Sequence, residues 1–270
     1  MMDFRMLFPN ARKKALTFSY DDGAKFDRRL VELFDKYNLK GTFNLNSSRH
    51  LGLESTEDVI GEKEVKELYK NHEVAVHTLT HKNPDFAPNT VKTVEVYEDR
   101  KALEQMVGYI VTGMAYPYGI TGGEQMANSM RACGIDYSRT VRSTRNFYIT
   151  SDFYMWDPTC HHNDPELMKL ADDFLSDTPG TKLFYCWGHS HEFNKYNNWE
   201  IIEEFCEKVA NRPDVWYATN KQIFDYVTSY RKLVFSLNNK LVYNGSAVNV
   251  WIEYDGKVYE IPSGKTIEIK

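Results

Sequence analysis

The chain has 270 residues, 42% of them hydrophobic and 26% charged, and a formal net charge of −5. That length can bury a full core, and the composition is that of a folded chain rather than a disordered one. An acidic balance without any basic block excludes a protein built to grip nucleic-acid phosphates. No stretch reaches the roughly 18 apolar residues that a membrane span needs, and no apolar run of signal-peptide length opens the chain. The four cysteines, Cys133, Cys160, Cys186 and Cys206, are widely spaced and form no CxxC pair. Buried free thiols in a reduced, cytoplasmic protein are the expectation.

From residue 15 to about 230, short β-prone runs alternate with helical patterns. The run 15–20 is followed by Phe26, Leu30, Leu33, Phe34 and Tyr37, spaced as one helical face. A strand at 41–46, a helix at 62–71, a strand at 73–76 and a helix from about 90 to 107 come next. Strand 109–116 precedes a helix carrying Met126, Met130 and Cys133, and strand 135–141 follows. Residues 142–164 have no clear period and read as a long aromatic-rich loop, of the kind that is often functional. A helix at 165–175, a strand at 182–187, a helix at 198–210, a strand at 215–218 and a final helix to 230 complete the series.

This β-then-α repetition predicts a parallel sheet covered by helices. The count fits an α/β fold: an irregular (β/α) barrel of about seven strands, with a doubly wound open sheet as competitor. After Arg231 the pattern changes to short β runs at 233–237, 241–242, 247–254, 257–261 and 266–269. Asn-Asn, Asn-Gly, Asp-Gly and Ser-Gly turns separate them. The expected division is therefore a barrel over 1–231 and a small C-terminal antiparallel β appendage over 232–270.

Chemistry-bearing residues gather at the ends of the expected strands. The first strand stops at Asp21-Asp22-Gly23, where a turn lets two adjacent carboxylates reach one cleft. One carboxylate there can hold a metal while the other moves protons. The strand 73–76 stops at His77-Thr78-Leu79-Thr80-His81, two histidines able to share one ion from a helical turn or a tight loop. In a parallel fold all these ends lie on one face. One Asp with two His suits a divalent transition metal with open positions for water and substrate. Further ends carry Ala115-Tyr116-Pro117-Tyr118-Gly119 and Trp187-Gly188-His189-Ser190-His191. A histidine beside such a metal is a candidate general acid. Tyr116, Pro117, Tyr118, Trp156 and Trp187 sit where a sugar ring could be stacked.

These residues resemble the NodB-type polysaccharide deacetylases, the fourth carbohydrate esterase family. Its first motif, Thr-Phe-Asp-Asp-Gly, looks like Ser19-Tyr20-Asp21-Asp22-Gly23, and its second, His-Ser/Thr-x-x-His, is matched by the segment 77–81. The resemblance implies Asp21 as catalytic base, Asp22, His77 and His81 as ligands of one divalent metal, and His189 as general acid, with His191 as the other candidate. Zinc is the default ion, with cobalt, nickel or iron compatible. The third motif's arginine, which in the family pairs with the base, is Ala115 here, and the fourth motif has no clear counterpart. Arg139 is the expected replacement, at the end of a strand facing the cleft, ahead of Arg142 and Arg145 in the loop.

The implied activity is metal-dependent removal of acetyl groups from an N-acetylated or O-acetylated saccharide, with an oxyanion stabilised by the metal and a backbone N–H near Tyr116. Two alternatives remain. One is hydrolysis of another C–N bond, such as that of a cyclic amide or imide, on the same scaffold. The other is a non-catalytic carbohydrate-binding protein.

Overall fold

The computed structural model describes residues 4–270. Along the chain run β1 (Phe4–Leu7), β2 (Lys14–Asp21), α1 (Asp27–Lys36), β3 (Gly41–Leu45), α2 (Glu62–Leu68), β4 (Glu73–Val76), α3 (Asn89–Val107) and β5 (Gly113–Ala115). Then come α4 (Gly123–Ala132), β6 (Tyr137–Arg139), β7 (Cys160–His161), α5 (Leu167–Leu175), β8 (Lys182–Gly188) and α6 (Ser190–Tyr196). The remainder is α7 (Trp199–Val209), β9 (Val215–Tyr217), α8 (Asn220–Arg231), β10 (Val234–Phe235), β11 (Leu241–Tyr243), β12 (Val250–Tyr254), β13 (Lys257–Ile261) and β14 (Thr266–Glu268).

The sheet is built around β2, every residue of which is buried. Strand β8 follows one edge of β2 from Lys14↔Lys182 to Tyr20↔Gly188. The other edge is divided: residues 18–21 pair with β3 and residues 14–16 with β9. The parallel order is β6-β5-β4-β3-β2-β8-β7, with β9 added against β2. The two ends of this curled sheet meet through one segment. Trp156 bridges Arg139 of β6, and shortly after it Cys160 pairs with Cys186 of β8. The result is an irregular barrel, with helices packed outside it on a core that includes Phe18, Phe34, Phe43, Phe174, Phe184 and Phe205.

The segment expected as a long loop thus contains β7 and the short turn Phe153–Met155. A two-residue strand has no period to read in the sequence. Strand β6 is also shorter than the run 135–141 implied.

The C-terminal β region is antiparallel, in the sheets β1-β12-β13 and β10-β11-β14. Its first sheet takes in β1, with Phe4↔Tyr254 through Leu7↔Trp251 in register. Residues 4–7, expected within the barrel unit, therefore pair with the appendage. Met6, Phe8, Tyr226, Val242, Val250, Ile252 and Ile261 form one buried cluster with Ala15, Leu183 and Tyr185 of the barrel strands. The appendage and the barrel share a core.

Candidate active site

The carboxyl end of β2 turns sharply at Asp22 (φ +78°) and Gly23 (φ +61°). A side chain at Gly23 would meet both a left-handed backbone and the His50 ring, 2.5 Å from its Cβ. This turn sends Asp21 into the barrel and Asp22 to its rim. Asp21 is 2% exposed. Its Oδ1 accepts from Asn44 Nδ2 at 2.8 Å, and its Oδ2 from Arg139 Nη2 at 2.5 Å.

Arg139 stands directly beside Ala115 in the parallel pairing of β5 and β6. Its guanidinium is fully buried, held by Ser19 Oγ at 3.2 Å and the Thr140 carbonyl at 3.0 Å. It also lies 4.4 Å above the Trp187 ring. Burial is the largest single influence and would raise the Asp21 pKa, but the Arg139 guanidinium together with His77 and His189 outweighs it and holds the carboxyl below its usual range.

The histidine segment 77–81 is a tight loop, with Thr78 and His81 at positive φ. Asn46 Nδ2 donates to the carbonyls of His77 and Thr78, and the His77 N–H donates to Asp99 Oδ2 at 3.0 Å. His77 Nδ1 lies 2.8 Å from the Ala115 carbonyl, which accepts its proton and leaves the Nε2 lone pair facing the cleft. Burial drives the pKa of His77 below its ordinary value. Burial and the neighbouring His77 take His81 down to about 4, so both rings stay neutral and able to ligate.

Asp22 Oδ1 is 4.0 Å from His77 Nε2 and 3.9 Å from His81 Nε2. Ligand atoms of all three residues lie within 4.8 Å of one another. The Asp22 oxygen is buried and accepts no hydrogen bond. An orphaned carboxylate oxygen between two neutral imidazoles fits a divalent cation.

His189 approaches from β8, its Nε2 3.9 Å from Asp21 Oδ2. Burial pulls its pKa down, but Glu192 and Asp21 outweigh that and raise it. His191 lies one step further along α6, its ring 5.2 Å from that of His189.

The sequence profile described as polysaccharide deacetylase matches residues 9–138. Over that stretch the chain is similar to the polysaccharide deacetylase family. Its members are hydrolases of amide bonds. No curated protein matches the chain. Among solved structures, a Mycobacterium smegmatis protein assigned to polysaccharide deacetylases superposes with a TM-score of 0.60 at 15% identity, over 84% of this chain and 94% of that one. The chitin deacetylase of Colletotrichum lindemuthianum superposes with a TM-score of 0.55 at 15% identity, over 81% and 89%. The chain spans only 55% of the Streptococcus pyogenes deacetylase, at 20% identity over 46% of its own length and a TM-score of 0.42.

Not every residue expected to touch substrate can do so. Trp156 is 1% exposed, enclosed by Tyr137, Phe153 and Tyr185. Tyr116 is buried, with its hydroxyl donating to the Tyr154 carbonyl. Both are core, because β6 and the closing segment cover them. Pro117 is buried too, and Trp187 has one face occupied by Arg139. Tyr118 is the exposed member, 62% accessible, with its ring 4.4 Å from His81. The Tyr116 N–H donates to the Arg139 carbonyl, so it is spent on the sheet and not free for an oxyanion. Arg142 pairs with Asp157 and Arg145 with Asp164, both away from Asp21.

The sequence reading passed over Asn44, Ser19, Glu192, His161 and His162. Asn44 is opposite Asp21 in the β2–β3 register, which a single sequence does not disclose. Glu192 was legible in principle: it is the third residue after His189, at the helix position from which a carboxylate reaches back to the cap backbone, and it accepts the His189 N–H.

Proposed function

We propose that the protein is a metal-dependent deacetylase of N-acetylated saccharides. The observation that carries this reading is the setting of Asp21 Oδ2: Arg139 at 2.5 Å, His77 Nε2 at 3.8 Å and His189 Nε2 at 3.9 Å. A base kept ionised, a candidate acid and a three-ligand cation site share one pocket.

Asp22, His77 and His81 would hold the ion, and when bound it supplies Lewis acidity toward an acetamide carbonyl and a water. Asp21 accepts the proton of the attacking water. Its guanidinium partner keeps it ionised, and Asn44 fixes its orientation. His189, with a raised pKa, carries the proton that the departing amine needs. An amine is a poor leaving group unless protonated, so this acid favours N-acetyl over O-acetyl substrates. Tyr118 is placed to stack on a sugar ring beside His81. Retention of base, acid and ligand set together favours a hydrolase over a saccharide-binding protein, which needs none of them.

Acetate release from a panel of N- and O-acetylated saccharides, with and without chelator, tests the reading. Release that chelator abolishes and zinc restores supports it. A protein that binds saccharides but releases no acetate at any metal loading overturns it.

A further inference from the structure

Outside the three-ligand set, a second cluster has no role in the mechanism above. Glu192 Oε2 lies 3.1 Å from His161 Nε2, 3.2 Å from His162 Nε2 and 3.4 Å from His189 Nδ1. It also accepts the backbone N–H of His189. One carboxylate oxygen thus faces three imidazoles, and one of them is the acid.

The composition His161, His162 and Glu192 is that of a metal site, but the proton positions oppose that reading. His161 Nδ1 accepts the Asn163 N–H at 3.1 Å, so in the neutral ring the proton is on Nε2, the atom facing Glu192. His162 is fully buried. Its Nδ1 is pressed against Gly188, where an added Cβ would come within 2.0 Å of it. No acceptor is offered there, so its proton also belongs on Nε2. In these tautomers both Nε2 atoms carry a proton within ion-pair distance of the carboxylate, and neither offers a lone pair to a cation.

We propose that His161 and His162 clamp Glu192 as the positioning carboxylate of His189. The clamp sets the His189 ring with Nδ1–H on Glu192 and Nε2 toward the cleft, and it rests on the reading of His189 as the acid. His162 is wedged between Phe193 of α6, at a ring separation of 4.1 Å, and Tyr20 of β2, at 5.6 Å. It thereby ties the acid's helix to the strand that carries the base. Glu192 belongs to the first turn of a short helix, where a long side chain would otherwise sample several rotamers. Three imidazole nitrogens within 3.4 Å of one oxygen, with the His189 backbone N–H donating to it, confine it and keep it ionised: burial pushes its pKa up, and the imidazoles more than reverse that. The other charged or titratable groups facing His189 are His191 on its own helix and Asp21 and Asp22 from the end of β2.

The test is imidazole ¹⁵N NMR of the zinc-loaded protein, with turnover of a fully acetylated chito-oligosaccharide and metal content measured in parallel. In Glu192→Gln, the His189 pKa is expected to fall and its neutral tautomer to become mixed. Turnover drops roughly 10- to 100-fold with little change in KM, less than the roughly 10²–10⁴-fold expected for loss of the general acid itself. His161→Gln gives a smaller effect of the same kind, and Glu192→Asp restores part of the loss. Metal content stays unchanged in all three. Unaltered His189 titration in Glu192→Gln overturns the clamp, and so does loss of a second equivalent of metal in His161→Gln. The titration judges the clamp even if the wild type releases no acetate, an outcome that would sink only the deacetylase reading.

Discussion

The Arg139 guanidinium meets Asp21 across 118 residues of sequence, from the strand position paired with Ala115. In the resembled family the arginine comes from the position that Ala115 occupies. Here the same charge enters from one strand further round the barrel, at the same level. Arg139→Ala leaves the buried Asp21 without its cation. Its pKa should rise and the acidic limb of the pH–rate profile should move upward, with turnover down about 10²–10⁴-fold and metal content unchanged. Arg139→Lys keeps a charge but not the fork that also reaches Ser19 and Thr140, so it should rescue only part. A pH–rate series on both variants checks this; an unmoved acidic limb in Arg139→Ala would disprove the pairing's role.

The neighbouring carboxylates differ in setting, which predicts a split. Asp21 is saturated with donors, whereas Asp22 Oδ1 has none. Asp21→Asn should retain the ion and hydrolyse poorly, because an amide cannot take the water's proton. Asp22→Asn and His81→Ala should each lose most of the metal while remaining folded. Metal analysis alongside circular dichroism decides it, and equal metal loss from Asp21→Asn and Asp22→Asn would contradict the division.

Much of this arrangement was legible because it lies at strand ends. Asp21-Asp22-Gly23 and the segment 77–81 each follow a buried β run, and the parallel topology puts such ends together. Burial was the less legible part. Trp156 lies in a region without period and Tyr116 at the end of an expected strand, and it is the closing bridge between Trp156 and Arg139 that turns them into core. Residues 4–7 were similarly hidden: a four-residue strand states no partner, and its partner β12 begins more than two hundred residues later. Glu192, His161 and His162 come from two separate stretches of chain, which no local pattern connects.

The shared core makes the appendage a matter of stability rather than chemistry. Met6 faces Ile252 in register, and Ile252 is fully buried. Ile252→Ala should cost about 2–5 kcal/mol, the usual range for such truncations in a core. Ending the chain after Arg231 should cost more, since β1 loses its sheet and Phe8 and Tyr226 lose their cover. Turnover per folded molecule should stay within about threefold for Ile252→Ala, because the proposed catalytic residues lie at the opposite ends of the strands. Thermal melting and active-site titration test both statements. A well-folded Ile252→Ala protein without activity would place the appendage in the reaction.

Asp27 supplies a prediction about pH. It is 1% exposed and accepts hydrogen bonds from the Tyr69 hydroxyl at 2.8 Å and from Ser190 Oγ, the residue after His189. Both donors are neutral. Burial therefore dominates and pushes its pKa up to about 7, with the two hydrogen bonds offsetting only part. An unfolded chain would release this proton near 4. Between about pH 4 and 7 the native state holds a proton that the unfolded state has lost, so stability falls as pH rises, by at most roughly 1.4 kcal/mol per pH unit from this group. Above about 7 both states are ionised and the slope ends. Asp27→Asn removes the titration and keeps a side chain of the same shape, because the Tyr69 and Ser190 hydroxyls can turn to suit an amide. The variant should match or fall slightly below the wild type at pH 4.5 and exceed it at pH 8. Urea unfolding at both values measures the difference. Parallel pH profiles for the two proteins would show that Asp27 is ionised in the fold throughout, and that the two hydroxyls suffice to hold its charge.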